Sequence, residues 1–416
     1  MEKQLRTDFK KIIESSNFSE TEIITKEKYL NKFIQNGFPG KKNENWKFLD
    51  LNQAIKSNIE NLDYFNENLP NEVDPKIYVD GLEHNKIVFI NGRIEKIDFK
   101  YEESDKFEIK DQFDSESLLN DVNSLVDLNS ALTNKYYKIQ VKKHYNVKKP
   151  VIIYSLTTSK ISSKNINIRL DFDLESNSSI KIIDYSIDKS ENNFVNIVYN
   201  FNLEKDAILK NYKLDKEENN NIKYSYNNIN LETNSVAENF ILSSGSSFIK
   251  NEINCNLIGK YSSAFVNGIF NLDNNKNHEI RTSINHLNEN TKSYQLIKSV
   301  LGENTKSAYQ GKIFVKSNAQ KTDGYQLSKA ILLSDNAEFN AKPELEIYAD
   351  DVKCSHGSAS GSLNQESIFY IMSRGLNYKE AKELLINGFL LDVVEKITDN
   401  EIKNLIKNIM GLKEWI

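Results

Sequence analysis

The chain has 416 residues, of which 39% are hydrophobic and 27% charged, with a formal net charge of -5. That length and balance exclude a disordered polypeptide and leave room for several domains or one elongated one. Acids and bases are interspersed without a dense Lys/Arg block, which argues against nucleic acid or an anionic membrane as the main partner, and no apolar run approaches a membrane span.

The opening MEKQLRTDFKKIIESSNF lacks an apolar core followed by a small-residue cleavage site, so no secretory signal is expected. Ser19 to Glu22 has the spacing of a capping box, and Ile23, Ile24, Leu30, Phe33 and Ile34 suit a helix ending before Gly37 and Pro39. In NENWKFLDL, Trp46 is expected to anchor packing. Lys86 to Phe99 reads as two strands around the turn Asn91-Gly92. In SESLLNDVNSLVDLNSAL, apolar Leu118, Leu119, Val122, Leu125 and Val126 predict a helix. Residues 1–149 therefore form a mixed helical and strand region.

From Lys138 to His356 the texture is short strands rich in Ile, Val, Tyr and Phe, uninterrupted by an amphipathic helix. Similar small-then-apolar segments begin near Ser179, Ala207, Ala237, Ala264 and Ser293, at spacings of 28, 30, 27 and 29 residues. Asn290-Thr291-Lys292-Ser293 recurs as Asn304-Thr305-Lys306-Ser307 at half that spacing. The period suits a parallel β-helix with two main strands per coil, spanning 150–357; a β-sandwich is the alternative. Cys255 is read as core filler. The abundance of Asn is read as nucleotide bias more than function. His278 and His286 share a strand face about 27 Å apart, at ~3.3 Å per residue, too far to chelate one metal.

Toward the C-terminus, an extended Glu346 to His356 would put Asp350, Val352, Cys354 and His356 on one face. A thiolate and an imidazole two residues apart can reach one soft or borderline metal, or the imidazole can lower the thiol pKa. Two ligands leave a tetrahedral site incomplete, so others must come from elsewhere in the fold or from another chain. The competing reading packs Cys354 as a small hydrophobe with His356 bonded at the strand end. Gly357 to Gly361 reads as a loop of little bulk. Region 358–416 is helical: one helix before Gly375, one opened by Asn377 and Glu380 and stopping at Gly388, and one capped by Thr398 and Glu401. Two cysteines, Cys255 and Cys354, are too few for a disulfide framework and suit a reducing cytoplasm.

The runs KPELEIYADDVKCSHG and FYIMSRGLNYKEAKELLINGF resemble the C-terminal signature of the SufB/SufD family of iron–sulfur cluster assembly proteins. NENWKFLDL resembles the family's short N-terminal motif, with Leu49 where Thr is expected. Gly357 after the His, where SufB-type chains carry Glu, and Thr322 in the position of their scaffold cysteine place the chain nearer the SufD type. The resemblance implies a right-handed parallel β-helix with flanking domains, acting as a non-catalytic scaffold in the cytoplasmic SUF machinery. It implies pairing with a SufB-type chain and binding of the ATPase SufC through the C-terminal helices, with a homodimer in isolation. No cofactor is expected to be held stably; iron or a nascent cluster would pass at the SufB interface by Cys354 and His356. The partner interface is expected at Cys354, His356, Arg374, Gly375, Leu384, Gly388 and Phe389.

No phosphate loop, H-E-x-x-H, C-x-x-C or G-x-S-x-G occurs, so no catalytic residue is assigned. The alternative function is a polysaccharide-active β-helix enzyme. Its obvious carboxylates, Asp350 and Asp351, would point to opposite strand faces.

Overall fold

The computed structural model describes residues 2–66, 77–113, 118–119 and 122–412. Two largely parallel sheets run the length of a solenoid, and the chain passes from one to the other at each half-coil. One sheet holds β1 (Asn85–Ile90), β2 (Arg93–Asp98), β5 (Val151–Thr157), β7 (Ser179–Asp188), β9 (Ile208–Asp215), β11 (Val236–Ser243), β13 (Ser263–Leu272), β15 (Lys292–Leu301), β17 (Asp323–Leu332) and β19 (Lys353–Ser362). Its order is β19-β17-β15-β13-β11-β9-β7-β5-β1-β2. The other holds β3 (Phe107–Asp111), β4 (Tyr137–Val141), β6 (Asn165–Leu174), β8 (Phe194–Leu203), β10 (Ile222–Leu231), β12 (Phe248–Leu257), β14 (Asn277–His286), β16 (Lys306–Val315) and β18 (Glu338–Ile347). Its order is β18-β16-β14-β12-β10-β8-β6-β4-β3.

This is the parallel β-helix that the repeat predicts. Ala237 pairs with Ala264 and Ala264 with Ser293, so the sequence period is the coil period. The echo at Lys306 opens β16, in the opposite sheet to Lys292 of β15. Inward side chains such as Ile182, Phe201, Ile241, Cys255, Val266 and Ile284 fill the bore.

Asparagine turns out to be structural. At the coil corners Asn177, Asn234, Asn290 and Asn304 adopt φ between 54° and 59°, a left-handed conformation that Asn tolerates better than other side-chain-bearing residues. A buried hydroxyl follows three of these corners and bonds the carbonyl three residues back: Ser235 to Glu232 (2.7 Å), Thr291 to Asn288 (3.1 Å), Thr305 to Gly302 (2.8 Å); after Asn177 the buried Ser178 hydroxyl makes no such bond. On the outer face of the β18-side sheet, Asn202, Asn230, Asn256 and Asn285 link into a ladder at 2.8 to 2.9 Å.

The helices cover the two outer faces. Against β8 and β10 lie α1 (Glu2–Glu14), α2 (Glu20–Asn36), α3 (Leu51–Asn58) and α4 (Ser124–Leu132), sharing a core that includes Leu5, Phe33, Trp46, Leu128, Phe194 and Tyr224. Trp46, in a short turn of 3-10 helix, lies 5.8 Å from Tyr224, with the buried Lys250 ammonium 4.5 Å over its ring. The Ser19/Glu22 capping box and the hairpin at Asn91-Gly92 form as expected. The helix expected over Ser115–Leu132 starts only at Ser124, capped by Asn123; Leu118 and Leu119 precede it, and residues 115–117, 120 and 121 lie outside the described residues. On the opposite face, α6 (Tyr378–Val394) and α7 (Asn400–Met410) pack Leu390, Val393, Ile402 and Ile406 on Tyr212, Phe240 and Val300.

Two C-terminal boundaries differ from expectation. The α6 helix runs through Gly388 to Val394, because Leu390, Val393 and Val394 bury beneath it. The cap of α7 is Asp399, accepting from the Ile402 amide; Thr398 instead bonds Glu238 on the sheet. Among the described residues no helix is long and apolar enough to cross a membrane.

Candidate functional site at the open end of the solenoid

The extended run expected from Glu346 to His356 is broken. Strand β18 ends at Ile347, and the chain turns before β19 begins at Lys353. Asp350, Asp351 and Val352 therefore lie in a turn, outside any strand alternation; the Asp351 carbonyl accepts from the Lys321 amide at 2.6 Å. The stretch Gly357–Gly361 is strand, not loop, paired with Leu327–Ile331.

Cys354 and His356 do share a face. Cys354 pairs with Gly324 and His356 with Gln326, which is buried in the bore, so both side chains are on the inward face of the last coil. Their Cα atoms are about 6.6 Å apart at ~3.3 Å per residue. A Cβ at Gly324 would touch Cys354 Sγ at 3.4 Å and Ile313 at 3.5 Å, ordinary van der Waals contacts that place the thiol directly over this position. Cys354 is half-buried among Ile313, Val315 and Leu345, whereas His356 is exposed because no further coil covers it.

Burial raises the Cys354 pKa, and the Asp323 carboxylate adds to the shift against an opposing hydrogen bond involving the Gly324 backbone. Burial thus disfavours the thiolate in the chain alone, and a nearby cation would favour it. Among the described residues no three His, Cys, Asp or Glu side chains converge on a metal position. The pair offers two donors and an open side. Cys255 is fully buried, its thiol pushed up to about 12. His278 and His286 are also buried and bonded, to Ser243 (2.9 Å) and Ser246 (2.6 Å), and to Thr291 (2.7 Å) and Ser293 (2.9 Å). Thr322 is the corner hydroxyl before β17, bonding Ala319 O at 2.8 Å as its counterparts do in earlier coils.

Among the described residues no strand pairs beyond β18 or β19, so each presents an open edge of backbone groups. Tyr348, 65% exposed, stands beside them. Past β19 comes α5 (Gln365–Met372), which buries Ile368 and leaves Phe369 73% and Tyr370 60% exposed, with Met372 and Tyr378 also outward. Arg374 stacks on the Tyr370 ring at 5.2 Å and donates to its hydroxyl at 3.0 Å. Arg374 and Gly375 are exposed in the α5–α6 turn, Leu384 is half-buried, and Gly388 is exposed. Phe389 faces the sheet: Lys298 donates to its carbonyl at 2.8 Å and lies 4.5 Å over its ring. The expected residues thus fall at four places: the open end, the α5–α6 turn, the body of α6 at Leu384 and Gly388, and the α6–β15 contact at Phe389. Sequence reasoning missed Tyr370 and Met372, whose signal is the apolar run Ile368–Met372 on a short helix, and Tyr378 at the start of α6.

The family model for the SUF system FeS cluster assembly SufBD core domain matches residues 157–389, a range that contains both the Cys354/His356 pair and α5. The chain is 26% identical to the iron-sulfur cluster assembly protein SufD of Escherichia coli, over 91% of this chain and 90% of that one. It is 27% identical to the chloroplastic protein ABCI7 of Arabidopsis thaliana, over 65% of this chain and 58% of that one. A SufBD family protein of Synechocystis is 42% identical over 25% of this chain and 23% of its own length.

Proposed function

This chain belongs to the SufBD family of the SUF iron–sulfur cluster assembly system, and we propose that it serves there as a non-catalytic cytoplasmic scaffold that pairs with a SufB-type chain and binds a SufC-type ATPase. The observation that carries this reading is the uncapped end of the solenoid, where two edge strands and an inward-facing Cys354/His356 pair await a neighbour. A second solenoid stacked there would satisfy the edges and supply the donors that two side chains cannot. Iron or a nascent cluster is then cargo, held transiently between chains, and a partner's cation would lower the Cys354 pKa toward the thiolate. The exposed Phe369, Tyr370 and Met372 on α5 supply a second face of the kind that docks a separate protein.

The test is anaerobic co-purification of this chain with SufB-type and SufC-type partners, comparing wild type with His356→Ala and reading stoichiometry together with bound iron. The expected result is a three-protein complex in both and less iron in the variant. Failure of the wild type to assemble would return the polysaccharide-active enzyme to consideration. An assembled complex with unchanged iron would make the pair architectural.

A further inference from the structure

One column of inward side chains runs along the bore and stops at the open end. Gln295 pairs in register with Gln326, and Gln326 with His356. The two glutamines are each 1% exposed. In-register amides elsewhere in this solenoid bond directly to one another. On the outer face Asn230 donates to Asn202 at 2.9 Å and Asn256 to Asn230 at 2.8 Å. Lower in the column that ends at His356, Asn211 donates to Asn239 at 3.4 Å.

The Gln326 amide is held at one end and unpaired at the other. Its oxygen lies 3.4 Å from the Tyr309 hydroxyl, which donates to the Gln295 oxygen at 3.0 Å and has Thr282 Oγ1 at 3.3 Å. A bare Gly311 makes room for this contact: a Cβ there would stand 2.3 Å from the Gln326 oxygen and 2.5 Å from the Tyr309 hydroxyl. The Gln326 amide nitrogen is buried and has no hydrogen-bond partner among the described residues. A buried amide group left unpaired is unfavourable. The side chain that follows it in the column is His356, on a strand ~4.8 Å away.

We propose that Gln326 is a positioning residue for His356: its side-chain amide holds one ring nitrogen from beneath and turns the other toward the open side. The inference rests on the metal-handling role given to His356 above and names what sets its ring. An imidazole that gives one nitrogen to a metal carries its proton on the other, and that N–H calls for an acceptor. A half-turn of the Gln326 amide puts its oxygen in that place and its nitrogen against Tyr309. The Tyr309 hydroxyl oxygen can accept there while still donating to Gln295, so every group in the chain from Thr282 to His356 is used in one direction. Cys354 has no such support, because its neighbour in register is Gly324.

The five histidines are labelled with nitrogen-15 in the full chain, without metal and at a concentration where sedimentation shows monomer. Spectra are taken at about pH 8.5, at which free imidazole is neutral, and the His356 signals are identified by their loss in His356→Ala. The wild type is expected to show two widely separated ring shifts, one protonated and one bare nitrogen, the signature of a single tautomer. Gln326→Leu, which removes the amide, should draw the two shifts together as tautomers mix. Gln326→Glu, which keeps the acceptor, should restore the separation. If Gln326→Leu melts early, Tyr309→Phe takes its place, removes the hydroxyl that holds the amide, and should move the shifts the same way. Shifts already averaged in the wild type, or unmoved by the substitutions, would overturn the proposal, as would equal effects of Gln326→Leu and Gln326→Glu. The spectra need no partner, so failure to assemble with a SufB-type chain would remove the scaffold reading and leave this result standing.

Discussion

Lys26 is wholly buried, donating to Thr133 O at 2.6 Å, with the Phe18 and Tyr136 rings 4.5 and 4.8 Å away. Burial lowers its pKa from 10.5 to about 7 against the pull of Glu22. Between those values the unfolded chain binds more protons than the folded one, so this residue's contribution to stability rises with pH. Below pH 7 both states are protonated and its penalty is constant. Raising the pH from 7 to about 9.5 should therefore favour wild type over Lys26→Met by up to roughly 1.4 kcal/mol per unit, read from urea unfolding. A flat difference would mean that the carbonyls and rings keep the ammonium charged. A second test is steric. A Cβ at Gly259 would fall on the backbone nitrogen of Thr233, which cannot step aside, whereas Gly361 has open space around it. Gly259→Ala should lower stability by about 1–3 kcal/mol, and Gly361→Ala should leave the melting temperature unchanged or raise it.

At the scale of elements, the coil corner is the repeating device. Its left-handed Asn reverses the chain, and at Asn304 the following Thr305 hydroxyl donates to the Gly302 carbonyl. Thr305→Val keeps the shape and removes the bond, so it should cost about 1–3 kcal/mol by thermal or urea unfolding. The device was visible as the repeated Asn-Thr-Lys-Ser, yet composition alone made Asn look like bias; its purpose shows only where φ is known. Helix α6 makes a different case. Gly388 lies inside the helix, and a Cβ added there would have nothing within 4 Å. Gly388→Ala should stabilise the isolated chain by roughly 0.8–1.0 kcal/mol. If the glycine admits a close neighbour, the same variant should weaken binding of the SufC-type ATPase, measured by co-purification. The N-terminal helix α1 is an addition to the elements expected from sequence, although Leu5, Phe9 and Ile12 fall at helix spacing and are buried.

For the whole molecule, the asymmetry of the two ends matters most. The N-terminal end is closed by antiparallel strands, β2 on β1 and β3 on β4, while β18 and β19 end the stack with free edges. At raised concentration the isolated chain should dimerise through that end. Tyr348→Lys, at a 65% exposed side chain, should shift it toward monomer in sedimentation without lowering the melting temperature. The solenoid was legible in the chain because parallel, in-register stacking puts successive coils in the same environment, so Ala237, Ala264 and Ser293 recur at one spacing. The shared face of Cys354 and His356 was legible too, since it needs only the two-residue period of a strand. That Gly357 to Gly361 is strand, that α6 passes through Gly388, and that His356 lies open above Gln326 were decided by pairing and burial against β17 and the sheet. Those outcomes depend on which distant segment lies alongside and on where the stack stops, and no local window of residues encodes either.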